Sequence, residues 1–180
     1  MTIRLELPTE LLIEAKVYQK NTIRINNDFE YWWAYILTGK TTVKQDTTII
    51  EVENILHKVF KKATKYTSEV YLPKTIKEDT VTILPIGYDY ESPLKINIPD
   101  SDTIKVKVIQ KHGHGKGQGK INLPVEYQYK KLQLIFLDDD NGIDEILQVK
   151  AQPKKRTNGS YAVIPSKYVG RYCEVIYKNF

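Results

Sequence analysis

The sequence predicts a mainly-β protein built from tandem strand–turn–strand units behind a β-rich N-terminal segment. Three observations lead there. Short alternating strands end in Leu-Pro or Ile-Pro at Pro73, Pro124 and Pro165, in "SEVYLP", "KINLP" and "SYAVIP". Each proline is followed at three positions by an apolar or aromatic residue (Ile76, Tyr127, Tyr168), and at eight and ten positions by Val81 and Ile83, Leu132 and Leu134, or Cys173 and Val175. Each is preceded by a strand that turns basic and then by a loop of Gly, Ser, Thr or Asn. Proline has no N–H and cannot continue a central strand, so it ends one and opens a single helical turn. The residue at +3 lies on the inner side of that turn, and +8 and +10 alternate as a half-buried strand does.

Taken in chain order, residues 1–46 form the β-rich segment. "LELPTELLIEAKVYQ" resembles a further copy around Pro8, but Ala15 and Val17 fall at +7 and +9, out of step, so any copy there is degenerate. "DFEYWWAYILTG", residues 28–39, has apolar side chains on both faces of a strand and predicts burial on both sides. Bases stacking on Trp32 or Trp33 are the functional alternative. Residues 47–92 form the first full unit, 93–140 the second and 141–180 the third. "KINIPDSDTIKVKVI" around Pro99 has too short a turn to match them. Asn141-Gly142 reads as the turn between two strands.

Charge is unevenly spread. Residues 1–46 carry six basic and six acidic side chains, so the whole net charge of +5 lies in residues 47–180. Such a balance points to a polyanion as partner. A single cysteine, Cys173, excludes an intrachain disulfide and fits a reducing, cytoplasmic setting. No apolar run is long enough for a membrane helix, so no membrane partner is expected. The Ile-, Tyr- and Lys-rich composition leans towards a low-GC or thermophilic source.

The loop "KHGHGKGQGK", residues 111–120, holds four glycines, three lysines and two histidines. Two histidines two apart, with no third ligand type nearby, do not make a metal site, and no glycine pattern here opens a helix on a phosphate. Glycines that let backbone approach a duplex, with lysines on its phosphates, suit a DNA-contacting loop. "DDDNGIDE" places Val149 where a calcium loop needs glutamate. No catalytic constellation can be assembled, so neither enzyme activity nor a cofactor is expected.

The pattern as a whole resembles the AbrB/SpoVT-type swapped-hairpin family, and "NGSYAVIPSKYVGRYCEVI" is similar to its archaeal members. Here roughly residues 50–180 match as three tandem copies. The resemblance implies interleaved β-hairpins, double-stranded DNA as partner and transcriptional regulation. It implies DNA contact by Lys58, Lys61, Lys62 and Lys65 in the first loop, and by Lys111, His112, His114, Lys116 and Lys120 in the second. The third loop would contribute Lys154, Lys155, Arg156 and Asn158. Lysines would hold phosphates, leaving Arg156 and Asn158 for base edges. An odd number of copies leaves one unpaired. The degenerate copy around Pro8 would complete a monomer, whereas its out-of-step spacing and the family habit favour a homodimer, in which the unpaired copy finds its equivalent in a second chain. The alternatives from other classes are a structural or protein-interaction β-module, such as a virion component, and an antitoxin that binds both DNA and a protein.

Overall fold

A computed structural model describes residues 3–88, 103–111, 118–138 and 142–177. Contacts divide the chain into two compact halves, one of Ile3–Pro93 and one built mainly of Leu94–Phe180. The N-terminal half holds β1 (Ile3–Pro8), β2 (Ile13–Tyr18), β3 (Thr22–Asn26), β4 (Trp33–Lys44), β5 (Thr47–Val59), β6 (Lys61–Lys62), β7 (Thr67–Tyr71) and β8 (Thr80–Gly87). The C-terminal half holds β9 (Thr103–Lys107), β10 (Ile109–Gln110), β11 (Gln118–Leu123), β12 (Lys131–Leu137), β13 (Ile143–Lys150), β14 (Gln152–Pro153), β15 (Ser160–Pro165) and β16 (Tyr172–Tyr177). The only helical elements among the described residues are three-residue 3-10 turns, among them Asn27–Phe29, Val125–Tyr127 and Ser166–Tyr168. The protein is mainly β, as the alternation of its strands predicts.

The prolines do what their chemistry requires. Pro124 and Pro165 each end a strand and stand directly before a 3-10 turn, and Ile76 N–H returns to the Pro73 carbonyl at 3.0 Å. Val81, Leu132 and Cys173 at +8 are buried, as are Ile83, Leu134 and Val175 at +10. At +3, Ile76 and Tyr168 are buried, but Tyr127 is only half-buried. Tyr168 stacks on Phe136 with ring centres 4.3 Å apart, whereas Tyr177, which stands twelve after Pro165 as Phe136 stands twelve after Pro124, accepts a hydrogen bond from Lys130 Nζ at 3.1 Å.

In the C-terminal half the Pro124 and Pro165 copies exchange strands. β12, the last strand of one copy, pairs with β13, the first of the next; β16 pairs with β9 in the same way, and β12 pairs with β16. The hairpins β10–β11 and β14–β15 join through β11 and β15 into a four-stranded sheet. The registers are symmetric. Ile121 faces Ala162, each three residues before its proline, and Leu134 faces Val175, each ten residues after. An internal two-fold therefore runs through both pairs.

The N-terminal half repeats this register, and in doing so it locates a fourth copy. Ile23 faces Val70 and Ile36 faces Ile83. Val70 and Ile83 stand three before and ten after Pro73, so Ile23 and Ile36 place the matching position at Asn26. Asparagine does the proline's work there: its side chain accepts the Asp28 N–H at 3.0 Å and starts the 3-10 turn. Ala34 at +8 and Ile36 at +10 are buried. The copy within residues 1–46 is thus centred on Asn26 rather than Pro8. β1, which ends at Pro8, is an added strand on β5, with Leu5 facing Ile50.

One backbone bond recurs in all four copies where the chain crosses between sheets. Val17, Phe60, Val108 and Ala151 donate their N–H to Asp79, Trp32, Arg171 and Lys130, at 2.8, 3.0, 2.9 and 3.0 Å. Each acceptor stands six residues after the Asn or Pro of the partner copy. Ala34–Thr38, at the centre of the aromatic stretch, are buried at every position, which fits a strand covered on both sides. β4 and β5 run on beyond the core, past a bulge at Thr38 and Gly39. Gly39 sits at φ +142°, where a side chain would run into the Glu51 carbonyl.

With the Asn26 segment paired to the Pro73 segment, and the Pro124 segment to the Pro165 segment, strand pairing is available within one chain. The chain is expected to scatter light as a monomer near 20.9 kDa at all micromolar concentrations; a mass of twice that would show exchange of hairpins between chains. Leu132, fully buried, should cost about 2–5 kcal/mol when replaced by alanine, read from denaturant unfolding.

Candidate nucleic-acid interface

The four-stranded sheet of the C-terminal half has an inner and an outer side. Gly119, Ile121, Leu123, Ser160, Ala162 and Ile164 point inward and are buried. Alternation turns the residues between them outward. They form two rows across the strands: Ile109, Lys120 and Val163, then Gln152, Tyr161 and Asn122. Lys111 bonds Gln118 at the start of β11 beside Pro165, and the basic β14–β15 loop closes its hairpin at the start of β15 beside Leu123. Antiparallel pairing therefore puts the starts of β11 and β15 at opposite ends of one face, roughly 20 Å apart for strands of six residues.

The β14–β15 loop is held firmly. Lys154 N–H bonds the Gly159 carbonyl at 3.1 Å, and the Gln128 side chain of the neighbouring copy donates to the same carbonyl at 3.0 Å. Ser160 Oγ donates to Pro124 O at 2.7 Å. Gly159 has φ +142°, a conformation only glycine takes without strain. Lys155, Arg156 and Asn158 project into solvent from this frame, and Lys154 is half-exposed.

The other expected contacts divide into three groups. Lys111 and Lys120 lie at the opposite end of the same sheet, both half-exposed, with Lys111 Nζ 3.4 Å from Gln118 Oε1. His112, His114 and Lys116 fall outside the described residues. Lys61, Lys62 and Lys65 are exposed but belong to the N-terminal half, on β6 and its loop, and Lys65 Nζ sits 5.8 Å from the Tyr66 ring centre. Lys58 is no loop residue: it lies on β5 opposite Ala34 and is half-buried. Gly119 also differs from expectation. It points inward, and a Cβ would press on Val108 and Val169 at 2.9 and 3.1 Å, so packing rather than ligand approach requires glycine.

Elsewhere in the C-terminal half two cations are paired with acids. Lys167 pairs with Glu145 at 3.0 Å, and Arg171 with Asp144 at 2.8 Å while lying over the Phe136 ring. Asp138 accepts the Gly142 N–H at 2.7 Å, closing the β12–β13 turn. Among the described residues no group of His, Cys, Asp and Glu could hold a metal ion. The tryptophans are packed rather than presented: Trp33 stacks on His57 at 4.5 Å, and Trp32 meets Phe29 edge-on at 5.2 Å.

The matching outer face of the N-terminal half has different chemistry. Its rows are Tyr18, Thr22 and Tyr71, then Lys61, Glu69 and Arg24. Arg24 Nε donates to Glu69 Oε2 at 3.3 Å, and Tyr71 Oη to Glu69 Oε1 at 3.1 Å. That hydrogen bond and the Glu69 charge raise the Tyr71 hydroxyl above its ordinary pKa. Sequence reading missed this face, because the signal for it, the register of the Asn26 copy, was hidden by the missing proline.

No family model, curated protein or solved structure matches this chain.

Cys173 is buried, and burial pushes its thiol up to about 12. A folded-state pKa above the unfolded one favours the folded protein wherever the thiol stays protonated. That contribution is complete below about pH 9 and lost as pH rises towards 12. At pH 8 a thiol-specific reagent should leave the folded protein unlabelled and react fully in denaturant; rapid labelling of the folded chain would show that β16 opens.

Proposed function

We propose that this protein binds double-stranded DNA through the outer face of its C-terminal half, as a transcriptional regulator or an architectural protein. The observation that carries this reading is a face free of acidic residues, with Lys111 and Lys120 towards one end and Lys154, Lys155 and Arg156 at the other. Residues 108–124 and 151–165, which build that face, contain three basic residues each and no aspartate or glutamate. Lys120, Lys154, Lys155 and Arg156 have no ion-pair partner among the described residues. A separation of roughly 20 Å exceeds the width of the major groove, about 12 Å, so the loops reach phosphates on both sides of it. Lysines then neutralise phosphates, while Arg156 and Asn158 have the hydrogen-bonding groups for base edges.

The exchange of strands between copies also supports the swapped-hairpin reading, since that family places its DNA contacts on such basic loops. On this reading the hairpins interleave within one chain.

Duplex binding is expected to weaken steeply with salt, with a log–log slope of about −0.9 per phosphate neutralised. The combined change Lys154→Glu, Lys155→Glu and Arg156→Glu should lower affinity and flatten that slope by up to about 0.9 per cation lost. Fluorescence anisotropy with a labelled duplex measures both. No binding at low salt, or a slope indifferent to the triple change, would turn the function towards a structural or protein-interaction module.

A further inference from the structure

We propose that the outer face of the N-terminal half is a second, separate binding site, a stacking platform for unpaired bases of single-stranded nucleic acid. Tyr18, Thr22 and Tyr71 stand in one row across β2, β3 and β7. Thr22 is 5% exposed, whereas Tyr18 and Tyr71 are 55% and 64% exposed. Strand spacing puts the two tyrosine Cα atoms roughly 10 Å apart on the same side. Tyr71 is not a loose side chain. Its hydroxyl donates to Glu69, two residues back on the same strand and face, so the ring is tethered along β7 while staying largely exposed. The second oxygen of Glu69 holds Arg24, whose guanidinium is a further plane for stacking.

One carboxylate thus fixes a ring and a guanidinium before any ligand arrives, which lowers the entropy cost of binding. It also spends its charge on Arg24. Lys61, in the same row, and Lys20, in the β2–β3 turn, are exposed and leave the face positive. Open π-faces in a positive field suit a polyanion that also offers π-faces. In a duplex those faces are buried against each other, and only unpaired bases present them. The C-terminal face, with one half-buried tyrosine and unpaired cations at its ends, lacks this platform.

The experiment uses the full chain and two labelled probes, oligothymidine and an abasic strand of equal length. The wild type should bind oligothymidine more tightly than the abasic strand. Tyr71→Ala should weaken oligothymidine binding at least about fivefold, since stacking is worth about 1–3 kcal/mol per base, and should erase the preference over the abasic strand. Tyr71→Phe should keep most of that preference, because it removes the anchor and not the ring. Tyr71 is exposed, and an unchanged melting temperature shows that the fold survives. Duplex binding by the C-terminal face should not respond to these changes. Equal binding of the two probes by the wild type, or oligothymidine binding that survives Tyr71→Ala and fails in the Lys154/Lys155/Arg156 triple variant, overturns the platform while leaving the duplex reading intact. Loss of duplex binding alone does the reverse.

Discussion

Ile36 against Ile83, and Leu134 against Val175, are contacts between residues at the same position of two copies, and each half is arranged around one of them. All four side chains are buried, and each contributes about 1.5–3 kcal/mol relative to exposure. A copy alone cannot gain this. Its last strand has apolar residues at +8 and +10 and no partner of its own, because its hairpin has turned away to the other sheet at Val17, Phe60, Val108 or Ala151. An unpaired apolar strand edge is an aggregation hazard. Pairing two copies removes it twice, by joining the last strands to each other and each last strand to the other copy's first. The internal two-fold follows from that exchange.

How much of this could be read from the sequence depended on how each position is constrained. Pro73, Pro124 and Pro165 are legible because proline's missing N–H has one structural consequence, and the +8 and +10 residues because burial enforces their alternation. The Asn26 copy escaped notice although Phe29, Ala34 and Ile36 stand at +3, +8 and +10. A capping side chain replaces the proline there, and asparagine is too common in turns to mark one. The candidate site was legible only in composition. That Lys58 faces Ala34 on a strand, or that Gly119 is held by Val108 and Val169, depends on register, which no local pattern gives.

The four copies share inward positions and diverge outward. Three before the turn stand Ile23, Val70, Ile121 and Ala162, all buried; four before it stand Thr22, Glu69, Lys120 and Tyr161. The second set makes one face an acid-anchored tyrosine surface and the other an acid-free basic one. Packing restricts the inward set to apolar residues of fitting volume, while the outward set, apart from the buried Thr22, is less constrained by it. Function therefore varies here without disturbing the frame that presents it.

The antiparallel pairing of β11 with β15 also restricts what the basic face can hold. Because the two strands run oppositely, the loops that begin them cannot meet, however the side chains change. A small anion such as a single phosphate group would touch one loop and leave the other idle. Lysine, a point charge without a fixed fork, does little to orient such a ligand. Only an anion extended over roughly 20 Å engages both ends at once, and joining the two contacts in one ligand raises the effective concentration of the second. On the proposed reading, the topology that closes the core would favour a long polyanion over a compact one, whichever lysines carry the contact.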